Sequence, residues 1–290
     1  MSVKHLLPAA AVAAFFGLSA TAHAVPAIGL TGANQLFGFD TATPGTTTSL
    51  QTVSGLQAGE TLLGIDHRPA TSQLYGLGST GRLYTITGGT ASFASTLDVA
   101  PSGGGFGIGF NPVPDRLRVT GDAGQNLRVN VDTGATTADG ALAYAAGDAN
   151  AGRTPGVTAA GYTNQVSGTV AATRLFDIDT ANDVLALQDP PNAGTLNTVG
   201  RLGVDASAVA GFDISGETGQ AFAALTVSGS TGLYGIDLAT GAATRIGAFG
   251  VQGVTSIALV PGAAAVPEPA SAALLGAGVL GLLAIRRRRA

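Results

Sequence analysis

Residues 110–140 read FNPVPDRLRVTGDAGQNLRVNVDTGATTADG, and the fold follows from their alternation. Leu117 and Val119 alternate with Arg116 and Arg118. Beyond the turn Gly121-Asp122-Ala123-Gly124, Leu127, Val129 and Val131 alternate with Arg128, Asn130 and Asp132. Period two on both sides of a Gly/Asp turn reads as a β-hairpin with one apolar and one polar face. Asp132-Thr133-Gly134 forms a second turn, where Asp bonds its own backbone and Gly takes positive φ. Asn111-Pro112 closes an earlier strand at 107–110, because Pro withdraws a ladder donor. The unit is therefore a strand followed by three more, each pair joined by a short turn.

Degraded copies of this unit run through the middle of the chain. They are Leu36-Phe37-Gly38-Phe39-Asp40, Leu83-Tyr84-Thr85-Ile86, Leu127-Arg128-Val129-Asn130-Val131, Leu175-Phe176-Asp177-Ile178-Asp179 and Leu233-Tyr234-Gly235-Ile236-Asp237, at intervals of 47, 44, 48 and 58 residues. A second phase precedes them at Leu63-Gly64-Ile65-Asp66, Gly107-Ile108-Gly109-Phe110 and Gly211-Phe212-Asp213-Ile214. Periods of this length with about four strands each predict an all-β fold, a β-propeller of five four-stranded blades. A sixth blade hidden in 141–165 or 190–210 stays open, as does an open sandwich or solenoid. The first copy lacks its leading strand, and residues 254–260 (VTSIALV) form a strand with nothing after it. The simplest closure sends that C-terminal strand into the first blade, which removes the exposed sheet edges.

Composition agrees with many tight turns. Of 290 residues 44 are Gly, charged residues are 11%, and Cys and Trp are absent. Without Cys there are no disulfides and no thiolate metal sites. Residues 25–265 carry nine Arg against seventeen Asp and Glu, a net of −8 that argues against nucleic acid as a partner.

The two ends depart from the repeat. Residues 1–24 read as a secretory signal peptide: basic Lys4 and His5, an apolar run over 6–18, and the site Ala22-His23-Ala24, cut by signal peptidase after Ala24. Residues 25–262 form the propeller domain, and 263–269 a linker carrying Val266-Pro267-Glu268-Pro269. Residues 270–285 are apolar on every face; as a helix, sixteen residues at ~1.5 Å each span about 24 Å, a short transmembrane helix. Arg286, Arg287, Arg288 and Arg289 in 286–290 make a basic cytoplasmic tail under the positive-inside rule. Gly276-x-Gly278-x-x-Gly281 inside that run matches a dinucleotide fingerprint but lacks the strand and βαβ unit that give it meaning.

This tail resembles the PEP-CTERM sorting signal of Gram-negative bacteria, in the order box, apolar helix, Arg cluster. The resemblance implies processing by an exosortase near the box and transient residence in the inner membrane. It also implies export to the cell surface or extracellular matrix, with exopolysaccharide as a candidate partner. The body resembles a secreted bacterial propeller-like family catalogued as domain of unknown function 4394. The resemblance is carried by Phe110-Asn111-Pro112-x-x-Asp115-Arg116-Leu117-Arg118-Val119, Gln125-Asn126-Leu127-Arg128 and Gln188-Asp189-Pro190-Pro191-Asn192-Ala193-Gly194-Thr195-Leu196. It covers roughly 27–260 and implies the fold without an activity.

Catalytic chemistry finds little support in the residues. Beyond the signal peptide the one His is His67, read as a turn residue in Asp66-His67-Arg68-Pro69, and no G-x-S-x-G elbow exists. The expectation is no catalytic residue, no enzyme activity and no cofactor. Structural Ca²⁺ at Asp177-x-Asp179-x-x-x-Asp183 or Asp213-x-Ser215-x-Glu217 is the minor alternative, although neither fits an EF-hand loop. Arg116, Arg118 and Arg128 are the candidate ligand residues, a clamp for a small anion or uronic acid. The plainer expectation pairs them with Asp115, Asp122 and Asp132. Tyr75, Tyr84, Tyr144, Tyr162 and Tyr234 are either half-buried strand residues or surface platforms for sugars. The function expected is a non-enzymatic binding or structural module at the cell surface; the rival is a propeller glycan lyase or hydrolase using carboxylates and Arg.

Overall fold

A computed structural model describes residues 24–261. The readings of a signal peptide, box, transmembrane helix and basic tail fall outside the described residues, apart from Ala24. Within them the chain forms five antiparallel blades in a ring. The first holds β1 (Pro26–Thr31), β2 (Gln35–Asp40) and β3 (Thr47–Thr52). The second holds β4 (Leu62–Arg68), β5 (Gln73–Gly78), β6 (Arg82–Thr87) and β7 (Thr90–Thr96). The third, built from the opening stretch, holds β8 (Phe106–Asn111), β9 (Arg116–Gly121), β10 (Asn126–Val129) and β11 (Thr136–Ala138). After the short β12 (Ala143–Tyr144), the fourth holds β13 (Val157–Tyr162), β14 (Leu175–Asp179), β15 (Val184–Gln188) and β16 (Thr195–Arg201). The fifth holds β17 (Ala206–Ile214), β18 (Ala221–Val227), β19 (Ser230–Ile236) and β20 (Ala243–Ala248).

The last strand, β21 (Val254–Leu259), returns to the first blade and pairs antiparallel with β1, Ala27 opposite Leu259 and Gly29 opposite Ile257. Sheet order there is β21-β1-β2-β3, so the C-terminal strand supplies the missing leading strand of the first copy. The ring closes as the repeat requires.

The innermost strands β21, β4, β8, β13 and β17 stand side by side around the axis. Small residues let them approach backbone to backbone. A Cβ added at Gly107 would lie 2.6 Å from the Ala160 nitrogen, and one at Gly211 would lie 2.7 Å from the Ser256 Cα. Glycine is needed at both positions because another backbone occupies the Cβ space.

One repeat copy is out of phase. Leu36, Leu83, Leu127 and Leu233 all lie on third strands, but Leu175–Asp179 is the second strand of its blade. The third strand there is β15, and Leu185 sits 58 residues after Leu127 and 48 before Leu233. The long interval therefore lies between the third and fourth blades. There β12 adds a fifth strand, parallel to β16, and the segment 145–156 follows it. The stretches that were candidates for a sixth blade hold this insertion with β13, and β16 with its connection into β17, all parts of the fourth and fifth blades.

Each blade is sandwiched between two others, so both faces of its inner strands are buried. Four of the five seams are apolar. Leu30, Leu36, Ile65 and Tyr84 fill the first-to-second seam; Tyr75, Leu83, Phe110 and Leu117 the second-to-third. Phe176, Ile178, Phe212 and Tyr234 fill the fourth-to-fifth; Phe37, Phe39, Phe222 and Ile257 the fifth-to-first. The seam between the third and fourth blades is different and holds the most buried Arg of the described residues.

Candidate functional site

The alternation of β9 explains that seam. Leu117 and Val119 enter the apolar seam with the second blade, so Arg118 and Thr120 must face the fourth blade, where both are buried. The polar face expected from the sequence is thus an interior face. Arg118 is 2% exposed. A buried guanidinium is tolerable only if its donors are satisfied, and here they are. Nη1 donates to Asn126 Oδ1 at 2.8 Å and to Asp139 Oδ2 at 2.7 Å; Nη2 donates to Asn192 Oδ1 at 2.7 Å; Nε donates to Tyr162 Oη at 3.3 Å.

The partners are themselves tied down. Asn126 Nδ2 donates to the carbonyls of Gly140 and Pro191 at 2.9 and 3.1 Å, and its Oδ1 also accepts from Gln188 Nε2. Gln188 Nε2 donates again to the Pro191 carbonyl. Asp139 accepts a second guanidinium, that of Arg128, whose Nε and Nη2 each lie 3.1 Å from its two oxygens. Burial alone would raise the Asp139 pKa, but Arg128 and Arg118 outweigh it and hold the carboxyl below its ordinary value.

Arg118, Asn126, Arg128, Gln188 and Asn192 come from the three motif segments that carry the family resemblance, and they meet in this one cluster. Of the three candidate ligand arginines, Arg118 and Arg128 are brought together through Asp139. Arg116 is apart from them and donates to the carbonyls of Pro114 and Asp115. The expected partners are corrected. Asp115 and Asp132 bind Arg68 of the second blade instead, at 2.5 and 2.7 Å, and raise its pKa. Asp122 accepts the N–H groups of Gly104 and Gly105, both at 2.9 Å. Arg68 pairs across a blade boundary, and Asp139 stands just past β11, 21 and 11 positions from Arg118 and Arg128; neither pairing leaves a local pattern in the sequence.

Three further carboxyls lie deeper. Asp66 accepts the N–H of its neighbour His67 and, across the blade boundary, that of Phe110 at 2.6 Å. Asp213 accepts from Ile214, from Gln165 and, across to the closing strand, from Leu259 at 2.7 Å. Each therefore fastens one inner strand to the next. Burial raises both pKa values, that of Asp213 to about 7; at Asp66 the nearby Asp213 charge adds to the burial. Asp177 is fully buried and neither oxygen has a hydrogen-bond partner. Burial pushes its pKa up to about 8, with Arg118 acting in the opposite direction.

His67 is not in a turn. It lies within β4, buried, because the β4–β5 hairpin turns only after Arg68. Its Nδ1 has no hydrogen-bond partner, and burial lowers its pKa to about 4. All five Tyr are buried; Tyr84 donates to Glu60 and Tyr144 to Asp179. The carboxylates weighed for Ca²⁺ already accept protein donors at Asp179, Asp183 and Asp213, and among the described residues no three metal-ligating side chains gather.

Residues 35–258 match the family model described as domain of unknown function (DUF4394), and the chain belongs to that family. Residues 265–289 match the PEP-CTERM protein-sorting motif, which directs export with exosortase processing and membrane-anchored sorting. No curated protein matches the chain. Among solved structures, one described as "Structure of Dos1 propeller" is 13% identical with a TM-score of 0.41, covering 75% of this chain and 56% of its own. Another, "Crystal structure of Nidogen/Laminin Complex", is 11% identical with a TM-score of 0.47, covering 82% and 98%. The chain thus spans little more than half the length of the first.

Proposed function

We propose that this member of the family is a cell-surface or extracellular-matrix protein whose propeller acts as a non-enzymatic binding or structural module. Signal peptidase removes 1–24, the apolar run 270–285 holds the chain in the inner membrane, and an exosortase then acts near Pro267-Glu268-Pro269. One observation carries the non-enzymatic reading. The motif residues Arg118, Asn126, Arg128 and Asn192 are bound to one another, with Asp139 joining the two arginines, so they clamp two blades. The carboxyls with raised pKa values, Asp66, Asp177 and Asp213, are at most 4% exposed and lie out of reach of a polymer substrate. A glycan lyase or hydrolase needs such groups in an open cleft.

Fractionation of cells carrying the full chain and a deletion of 266–290 tests the sorting step. The deletion should convert a membrane-processed, surface-retained protein into a freely secreted one; an unchanged distribution refutes the proposal. Degradation of a polysaccharide by the purified chain, abolished by an Asp→Asn change, would replace the binding module with an enzyme.

A further inference from the structure

Between the first and second blades lies a cavity of about 470 Å³, built from strands of both. Its size is within the range of small-molecule sites. The deep wall is apolar: Leu36, Leu74 and Ile86 are all buried. The rim is different, carrying the exposed side chains of Thr48, Ser49, Gln51, Ser72, Gln73 and Thr87. No Asp, Glu, Lys or Arg lines it. The one titratable side chain in its wall is His67, 7% exposed and with Nδ1 unpartnered. A buried polar atom left without a partner is destabilising, and among the described residues His67 Nδ1 is the buried orphan atom whose residue lines a sizeable cavity. Burial lowers its pKa to about 4, so the ring is uncharged near neutrality and offers a hydrogen bond without attracting an ion.

A hydroxyl- and amide-bearing rim over an apolar wall, with no charge, selects against anions and cations. It suits a ligand that is uncharged, rich in hydroxyls and apolar on one face, which is the chemistry of a neutral hexose. We infer that this cavity binds a neutral saccharide unit, its hydroxyls held by Gln51 and Gln73 and by His67, directly or through one water. The inference deepens the reading of the propeller as a binding module and rests on it. It also moves the ligand site away from the arginine clamp at the third-to-fourth seam.

The test is NMR of the full chain labelled with ¹⁵N-histidine, the His67 imidazole signal being assigned by its loss in His67→Gln. Glucose, galactose, mannose, maltose and cellobiose are titrated to roughly 50 mM, enough to see a millimolar Kd, with glucuronate as the charged comparison. At least one neutral sugar should move the His67 signal saturably while glucuronate does not. The double change Gln51→Ala with Gln73→Ala, at exposed positions that leave the fold intact, should weaken that binding at least about fivefold. A His67 signal unmoved by every neutral sugar, or moved equally in the double variant, overturns the site. A sugar that binds while leaving His67 unmoved overturns the site too, but leaves the binding-module reading standing.

Discussion

Arg118→Met removes a buried charge while keeping most of the side-chain length. Its consequences can be counted atom by atom. Asn192 Oδ1 loses the Nη2 donor but can turn to water, because Asn192 is exposed. Asn126 Oδ1 keeps only the 3.3 Å contact from Gln188, while Asp139 keeps Arg128. Asp177 loses the nearby positive charge that offsets its burial. Removing one member of a buried ion pair costs about 3–5 kcal/mol. The surviving Arg128–Asp139 pair places this case at the lower end, about 3 kcal/mol. For a domain of this size each kcal/mol moves Tm by ~2–4 °C, so a fall of roughly 10 °C is expected. Urea unfolding followed by far-UV circular dichroism measures it, with Arg116→Met as the internal comparison. Arg116 belongs to the same alternation, yet it contacts only nearby carbonyls and should change stability by no more than about 0.5 kcal/mol. Equal effects of the two substitutions, or a loss under about 1 kcal/mol for Arg118→Met, would refute the clamp.

Stability should fall as pH rises from 6.5 to 8. Asp177 has a folded pKa of about 8 and Asp213 of about 7, both above the ordinary 3.8, so the native state holds protons that the unfolded chain has released. His67, lowered from 6.5 to about 4, acts in the opposite direction but only below pH 6.5, where the unfolded chain takes up its proton. Asp177→Asn should therefore flatten the urea midpoint between pH 6.5 and 8, removing up to about 2 kcal/mol of the change; parallel slopes in both proteins would contradict this. Gly211→Val should cost at least about 2–3 kcal/mol in thermal unfolding, because its side chain meets the Ser256 backbone. Gly235→Ala, where the nearest atom to a new Cβ is 3.8 Å away, should be neutral or slightly stabilising, and equal shifts would dismiss close packing at the axis.

The ring was legible because each blade must repeat its turns and its period-two strands. Even its closure could be read, from a first copy short of one strand and a last strand without followers. Phase was harder. Leu175-Phe176-Asp177-Ile178-Asp179 has the residues of a third strand but sits second, while the true third strand, VLALQ, has Ala186 where the other copies follow their Leu with an aromatic or Arg. Burial of the polar face was not legible either. Alternation of Leu with Arg looks the same in a strand facing water and in one facing another blade. The motif segments pointed at the right residues, but that Arg118 reaches Asn192 across 74 positions depends on how two blades meet. The same holds for His67: a D-H-R-P tetrapeptide reads as a turn, and only the β4–β5 register places its imidazole inside the wall of a cavity.

The ring closed by its last strand underlies both the clamp and the cavity, and one bond tests it. The chain contains no Cys, so a pair introduced at Ala27 and Leu259 has no competing thiols. Val260 donates to the Pro26 carbonyl, which makes the neighbouring pair Ala27–Leu259 a non-hydrogen-bonded one with Cα atoms about 4.5 Å apart, within disulfide range. Under mild oxidation of the folded protein, Ala27→Cys with Leu259→Cys should link the first strand to the last quantitatively and raise stability by about 4–5 kcal/mol, as expected for so long a loop. Thiols that stay free in the native protein would mean that β21 does not complete the first blade.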